Sequence, residues 1–378
     1  MIRALQLGMH WFPERAGGLD RVYYELSRAL PGAGVSVAGL VAGSGRAAAE
    51  SQGAVRAFAP ATASLRQRLF ALRSSFAEAA ATYKPDLIVS HFALYTMPVL
   101  DRLRRPLVIH FQGPWADEGV VEGDAGLHHA LKWGVERLVY RRAAGAIVLS
   151  QAFADVLHQS YKVPVDKIHV IPGGIDSRRF ATMETRAAAR TRLGWPAAQK
   201  IVVAVRRLAP RMGLENLLMA VAILRREVPE IQLLIAGRGA LHARLAAQIE
   251  SLGLASNVRL LGFVSDDDLP YIYRAADLSV VPSVALEGFG LTAAESLAAG
   301  TPCLVSPVGG LPEVVTGLSE ALVLPSAAPA DIARGLADAL LGRLPLPSSA
   351  QCRDYAAQKF EWRLIAARVA DVYQAALA

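Results

Sequence analysis

LSVVPSVALEGFGLTAAESLAAG, residues 278–300, is the stretch from which the fold can be read. Leu278-Ser279-Val280-Val281 is a short apolar run closed by Pro282 and reads as a buried strand, while Leu291 to Ala299 reads as a helix that Gly300 stops. The unit is strand, loop, helix. Glu287 falls on the loop, and Glu295, eight positions on, falls on the second turn of the helix. The amides of Phe289, Gly290, Leu291 and Thr292 gather where the helix opens, and such N–H groups lack intrahelical acceptors and favour an anion. Gly288 and Gly290 let backbone approach a ligand closely, with Phe289 between them packing the turn onto the fold. Carboxylates accept hydrogen bonds from hydroxyls. Two of them flanking an anion site suit a ligand with hydroxylated ends and a charged middle, such as a sugar nucleotide. The plainer alternative is an ordinary connection with two solvated glutamates near a helix start.

Outward from this unit, short apolar runs alternate with helical patterns, the signature of parallel sheets covered by helices. One set comprises the strand-like Ala4-Leu5-Gln6-Leu7, then Val35 to Val41, Leu87 to Val89, Leu107 to Ile109, Ala146 to Leu149 and Ile168 to Ile171. A second comprises Ile201 to Val205, Leu233 to Ile235, Val258 to Leu261, Leu278 to Val281 and Cys303 to Val305. Two Rossmann-like halves are therefore predicted, with the turn-rich Pro172-Gly173-Gly174-Ile175-Asp176 as the hinge. Apolar positions at Leu364, Ile365, Val369, Val372 and Tyr373 predict an amphipathic helix over 360–375.

Of 378 residues, 53% are hydrophobic and 19% charged, enough for two buried cores and against long disorder. The net charge of +7 is spread evenly: 19 Lys and Arg against 15 Asp and Glu up to Asp176, and 21 against 18 beyond it. That argues against a basic nucleic-acid module. Locally, Arg66, Arg68 and Arg73 share a segment with Leu65, Leu69, Phe70 and Leu72, and Arg102, Arg104 and Arg105 form a second cluster. Solvated helix faces explain both, with weak peripheral membrane contact as the alternative. The two cysteines, Cys303 and Cys352, provide neither a disulfide framework nor a zinc site. The start lacks a signal-peptide pattern and no apolar run is long enough to span a bilayer, so a cytoplasmic setting is expected.

Further motifs stand in order along the chain: Gly17-Gly18, Arg207-Leu208, Ala236-Gly237-Arg238-Gly239, Gly262-Phe263-Val264 and Val308-Gly309-Gly310-Leu311-Pro312-Glu313. Together with the two glutamates they resemble the retaining glycosyltransferases of family four, which have the GT-B fold. The resemblance covers nearly the whole chain. It implies an α/β fold of two Rossmann-like domains facing across a cleft: 1–176 on the acceptor side, 177–358 for the donor nucleotide, and 359–378 as a helix returning to the first domain. It also implies transfer of a hexosyl unit, with retention, from a nucleotide-diphosphate sugar to a hydroxyl of a saccharide or lipid-linked acceptor. The setting by analogy is lipid-linked saccharide or surface polysaccharide assembly.

Candidate residues follow from position and from that resemblance. Gly17-Gly18, after the first strand, offers bare backbone to a phosphate or an acceptor, or is a simple turn. Arg207 and Arg211 lie past the strand Ile201 to Val205, at the edge where doubly wound sheets bind ligands. The family usually has a lysine where Met212 stands, so Arg211 is expected to take over its charge, with Arg206 the weaker substitute. The segment His110-Phe111-Gln112 ends another strand. The family commonly has histidine where Gln112 stands, which puts an acid-base role there in doubt, and His110 is either a sugar ligand or a core histidine. Gly237, Gly239 and Val264 close strands as candidate contacts for the base, and Glu313 is a candidate or a helix-start glutamate. Asp266-Asp267-Asp268 reads as a turn opening a helix at Leu269 rather than a metal site, so no metal and no cofactor beyond the donor are expected.

Two rival classes remain at this level. A nicotinamide oxidoreductase would need a complete GxGxxG fingerprint, which is lacking. A binding-only protein of the same fold accommodates Met212 and Gln112.

Overall fold

The computed structural model describes residues 1–15, 17–121, 126–182 and 184–378. It divides into two compact units, one formed by 1–174 with 362–378 and the other by 175–361.

In the first unit seven parallel strands run β1 (Ile2–His10), β2 (Val35–Ala42), β3 (Val55–Ala59), β4 (Leu87–Ser90), β5 (Leu107–Phe111), β6 (Gly145–Val148) and β7 (Ile168–Val170). Their order across the sheet is β3-β2-β1-β4-β5-β6-β7. β4, β5 and β6 are buried at every position, which is why they read as unbroken apolar runs rather than alternating ones. β3 is not among the strands expected from the sequence: Val55-Arg56-Ala57-Phe58-Ala59 is short, is interrupted by exposed Arg56, and lies at the end of the sheet beside β2. The helix Trp362–Ala375 belongs to this unit, burying Trp362, Ile365, Ala366, Val369, Val372 and Tyr373 along one stripe. Its start is fixed by close packing, since a side chain at Gly174 would lie 2.3 Å from the Trp362 ring. The helix begins at Trp362 and not at 360, because Phe360 ends a separate helix, Ser349–Phe360, in the second unit.

The second unit holds β8 (Ile201–Val205), β9 (Gln232–Ala236), β10 (Val258–Gly262), β11 (Leu278–Val281) and β12 (Cys303–Val305), all parallel, in the order β10-β9-β8-β11-β12. Chain order reverses between β8 and β11. In a sheet of this kind the carboxyl ends of the two strands at the reversal splay apart and leave a crevice, which is where ligands bind.

Candidate functional site

The chain that leaves β8 and the chain that leaves β11 supply the charged groups at this reversal. Past Val205 comes Arg206, almost fully buried, and past Val281 come Pro282 and Ser283 and then the loop to Glu287. The Arg206 guanidinium meets that loop: Nη2 donates to Glu287 Oε2 and, at 2.6 Å, to Ser283 Oγ, and Nη1 donates to Thr292 Oγ1 at 3.3 Å. Ser283 Oγ donates to the same Glu287 oxygen at 2.8 Å. Burial by itself pushes the Glu287 carboxyl upward, but the adjoining guanidinium, the Ser283 hydroxyl and the charge of Arg211 outweigh it and hold the group below its ordinary value. Glu287 is therefore a carboxylate that accepts and does not donate.

Backbone strain sits immediately before it. Leu286 has φ 50°, a left-handed conformation that costs a branched side chain about 1–3 kcal/mol. Arg211 Nη1 donates to the Leu286 carbonyl at 2.7 Å, and Arg211 O accepts from Val284 N at 3.0 Å, so the β8 loop clamps the strained turn. Arg207, the neighbour singled out from the pattern, is exposed, whereas Met212 is buried.

The helix Leu291–Ala298 starts from Gly290, whose φ of 99° suits glycine, and no side chain caps it. Its first amides are thus open donors beside Thr292 and Arg206. Phe289 is buried with its ring 5.3 Å from that of Phe360, which anchors the turn. Glu295, 5% exposed, accepts from the Tyr273 hydroxyl at 3.3 Å. The two glutamates thus share one sheet edge, Glu287 in the crevice and Glu295 within the helix packing.

Gly237 and Gly239 have a packing reason. A Cβ on Gly237 would lie 1.8 Å from the Arg206 carbonyl oxygen, and one on Gly239 would lie 2.3 Å from that of Leu208. The Gly237 amide is already donated to Gly262 O at 2.7 Å. Val264 is half-buried beside exposed Phe263, over whose ring Arg238 stands at 5.2 Å. Asp268 directly precedes the helix Leu269–Ala275 and is joined to Ser265 at 2.7 Å, while Glu313 is exposed on the first turn of a short helix, Leu311–Val315.

In the first unit Gly17 and Gly18 are exposed at the start of the helix Gly18–Ala29, past the end of β1. Asp20 turns back from that helix, accepting from the His10 amide at 3.0 Å. His110 is a core residue: its Nε2 lies 2.9 Å from the Tyr373 hydroxyl, its ring stacks on His91 at 4.4 Å, and burial pushes it down to about 3. Gln112 is half-buried, with Nε2 enclosed and without a partner. The turn that follows is held by Glu136, missed in the sequence. Its carboxylate accepts from the amides of Trp115 (2.9 Å) and Ala116 (3.1 Å) and from the hydroxyls of Tyr140 (3.1 Å) and Tyr161 (2.8 Å). A glutamate amid a helical apolar pattern, preceding two tyrosines, was the available signal.

Among the described residues no group of three or more His, Cys, Asp or Glu is placed to hold a metal ion, and no helix is long and apolar enough to cross a membrane. Of the basic cluster near residue 70, Arg73 makes a paired contact with Asp101 at 2.8 Å and Arg68 donates to the Tyr95 hydroxyl, while Phe70 is 80% exposed.

Known proteins share this fold. Sucrose-phosphate synthase from Thermosynechococcus elongatus superposes with a TM-score of 0.81 at 24% identity over 99% of both chains. HepE from Anabaena, in a structure with UDP and glucose, gives 0.79 at 21% over 99% of this chain and all of that one. At the sequence level, mannosylfructose-phosphate synthase of Agrobacterium fabrum is 38% identical over 47% of this chain, which spans only 40% of that enzyme. A D-inositol 3-phosphate glycosyltransferase of Streptomyces scabiei is 33% identical over 83% of this chain and 74% of its own length. Residues 16–179 match Glycosyltransferase Family 4 and residues 185–359 match Glycosyl transferases group 1. Family signatures on both units and one-third identity to a relative over most of its length agree: the chain belongs to the group 1 glycosyltransferases, with the GT-B fold.

Proposed function

We propose that the protein transfers a hexosyl unit, with retention of anomeric configuration, from a nucleotide-diphosphate sugar to a hydroxyl of a saccharide or lipid-linked acceptor. The observation that carries this reading is the pairing, at the β8–β11 reversal, of an ionised carboxylate, Glu287, with the uncapped start of the helix Leu291–Ala298. Glu287 takes donor-sugar hydroxyls, the helix amides and nearby arginines take the diphosphate, and Glu295 takes a ribose hydroxyl. The bond from the anomeric carbon to the diphosphate oxygen breaks and its electron pair leaves with the diphosphate. The acceptor oxygen bonds to the same face of that carbon, and its proton passes to the departing phosphate. Oriented donors and fixed positive charge stabilise the leaving group, so the reading requires no metal. The UDP and glucose held by HepE and the inositol-phosphate activity named for the Streptomyces relative support a sugar-nucleotide donor and a hydroxyl acceptor.

Incubation with UDP-glucose, GDP-mannose and ADP-glucose, following nucleoside diphosphate release, tests the activity. Release above a Glu287→Ala control is expected with at least one donor, and NMR of the transfer product reads the anomeric outcome. Binding of a donor with no turnover over a broad acceptor panel would favour a binding protein of the same fold, a reading that Met212 and Gln112 support. The cytoplasmic face of a membrane is the proposed setting, with the exposed Phe70 region as a weak peripheral contact.

A further inference from the structure

Arginines also gather at the amino ends of β8, β11 and β12, the edge of the second sheet opposite the crevice. Asp277, which directly precedes β11, accepts from the Ile201 amide at the start of β8 at 2.8 Å and is shared by Arg186 (3.1 Å) and Arg190 (2.8 Å). Arg192 lies 3.8 Å from Glu184. Among the described residues neither Arg274, in the last turn of the helix Leu269–Ala275, nor Arg353, on the helix Ser349–Phe360, is paired with a carboxylate. The two meet at Gly300. Arg274 Nη1 donates to Ser349 Oγ at 3.1 Å, Ser349 Oγ donates to the Gly300 carbonyl at 2.6 Å, and a side-chain carbon on Gly300 would lie 2.5 Å from Arg353 Nη1. Both arginines are half-buried, and Arg353 makes no hydrogen bond among the described residues. Burial and the charges of Arg353 and Arg186 push Arg274 below its ordinary value. Like charges gathered around one turn repel, and an anion that bridges them removes that cost.

We propose that Arg274 and Arg353, with the charge of Arg186 in support, form a second anion site that takes a phosphate group, free or as a monoester. It is separate from the crevice, since Arg274 precedes β11 and Gly300 precedes β12, whereas the crevice lies past the carboxyl ends of the strands. The donors are the guanidinium forks and not a helix start. The start of Ser349–Phe360 is already closed by Ser348, whose Oγ accepts from the Gln351 amide at 3.3 Å and whose amide donates to Gln351 Oε1 at 2.8 Å. Two positive charges without acids match a phosphate dianion, and planar forks suit its several oxygens. A phosphate held there bridges elements that lead to Glu295. Arg274 follows Tyr273, whose hydroxyl donates to Glu295 and whose carbonyl accepts from Thr301 Oγ1 at 2.7 Å, and Gly300 closes the helix on which Glu295 stands. The site stands whether or not the crevice holds a sugar nucleotide.

Melting temperature is followed while inorganic phosphate or glycerol 2-phosphate is titrated in the millimolar range, with ionic strength held constant by sodium chloride. The proteins are the wild type, Arg353→Gln, Arg353→Glu and the control Arg259→Gln, whose arginine is exposed on β10 at the far end of the sheet. The wild type and Arg259→Gln are expected to gain melting temperature with the logarithm of phosphate, and Arg353→Gln to need about tenfold more for the same gain. Arg353→Glu should melt above Arg353→Gln in the absence of phosphate, because its carboxylate answers Arg274, and should respond to phosphate no more than Arg353→Gln does. A stronger response to glycerol 2-phosphate assigns the site to a monoester, and a stronger response to inorganic phosphate assigns it to the free ion. A wild type indifferent to both, or an Arg353→Gln protein that gains as the wild type does, overturns the site. An equal loss in Arg259→Gln also overturns it, since the effect is then one of general charge. Where Arg353→Gln fails to fold, Arg353→Glu carries the same comparison with the wild type.

Discussion

The Tyr373 hydroxyl lies 2.9 Å from Nε2 of His110, tying the final helix of the chain to the end of β5 across 263 positions of sequence. His110 also stacks on His91, whose Nε2 is 3.2 Å from Gln6 Oε1. A buried imidazole stack of this kind is held neutral.

Acid sensitivity follows. Burial lowers His110 from 6.5 to about 3, and burial and His110 together push His91 well down. Below pH 6.5 the unfolded chain binds protons that the folded chain refuses, so stability is full above 6.5 and falls toward pH 3, at up to about 1.4 kcal/mol per pH unit for each group. Melting temperature against pH for His110→Gln should show a flatter acid limb than the wild type.

Glu136 acts with the opposite sign. Burial raises its carboxyl from 4.5 to about 7, against the pull of the four donors around it. Between those values the folded state holds a proton that the unfolded state releases, so this contribution weakens as pH rises from 4.5 through 7. In Glu136→Gln that dependence disappears. The variant is also less stable at neutral pH, because the Trp115 and Ala116 amides donate to different oxygens of Glu136 and the NH2 that replaces one of those oxygens cannot accept from the amide facing it. Paired denaturation curves at pH 5 and pH 8 measure both effects.

Removing Glu287 should cost stability as well as function. Glu287→Ala leaves the Arg206 guanidinium buried without its carboxylate, for which about 3–5 kcal/mol is expected. Glu287→Gln, which keeps an acceptor, should unfold at a denaturant concentration between those of Glu287→Ala and the wild type while still failing in sugar transfer.

Gly237→Ala should be among the most damaging single substitutions. Its Cβ would enter the space of the Arg206 carbonyl, and moving that carbonyl displaces the guanidinium, so a loss above about 4 kcal/mol is expected. Gly18→Ala is the matched control: nothing lies within 4 Å of the added carbon, and in a first helical turn the change should be neutral or stabilising by up to about 1 kcal/mol. Denaturant midpoints of the two variants decide it.

How far the sequence could be read depended on the kind of information each element carries. β8 and β11 are short apolar runs bounded by turn residues, so their burial was legible, and Glu287 and Glu295 could be assigned to the loop and helix that follow β11. β3 was lost because an edge strand with Arg56 on its open side shows no continuous apolar signal. That Arg206 is buried and Arg207 exposed is not legible in one dimension, where three arginines in a loop look alike. Which of them turns inward depends on how the loop leaves the sheet and on the backbone of Gly237 passing beneath it. Likewise the partner of His110 lies on a helix whose stripe was legible but whose docking site was not.

The placement of Trp362–Ala375 also bears on how the protein is made. The first 174 residues emerge from the ribosome well before the helix that packs over Gly145 and donates to the Val170 carbonyl from Arg368 Nη2 at 2.8 Å. The amino-terminal half must wait, with that flank bare, until the intervening 187-residue body, Ile175–Glu361, has been translated. Nascent chains stalled before Trp362 should therefore be protease-sensitive around β6 and β7, and become resistant only when the last helix arrives.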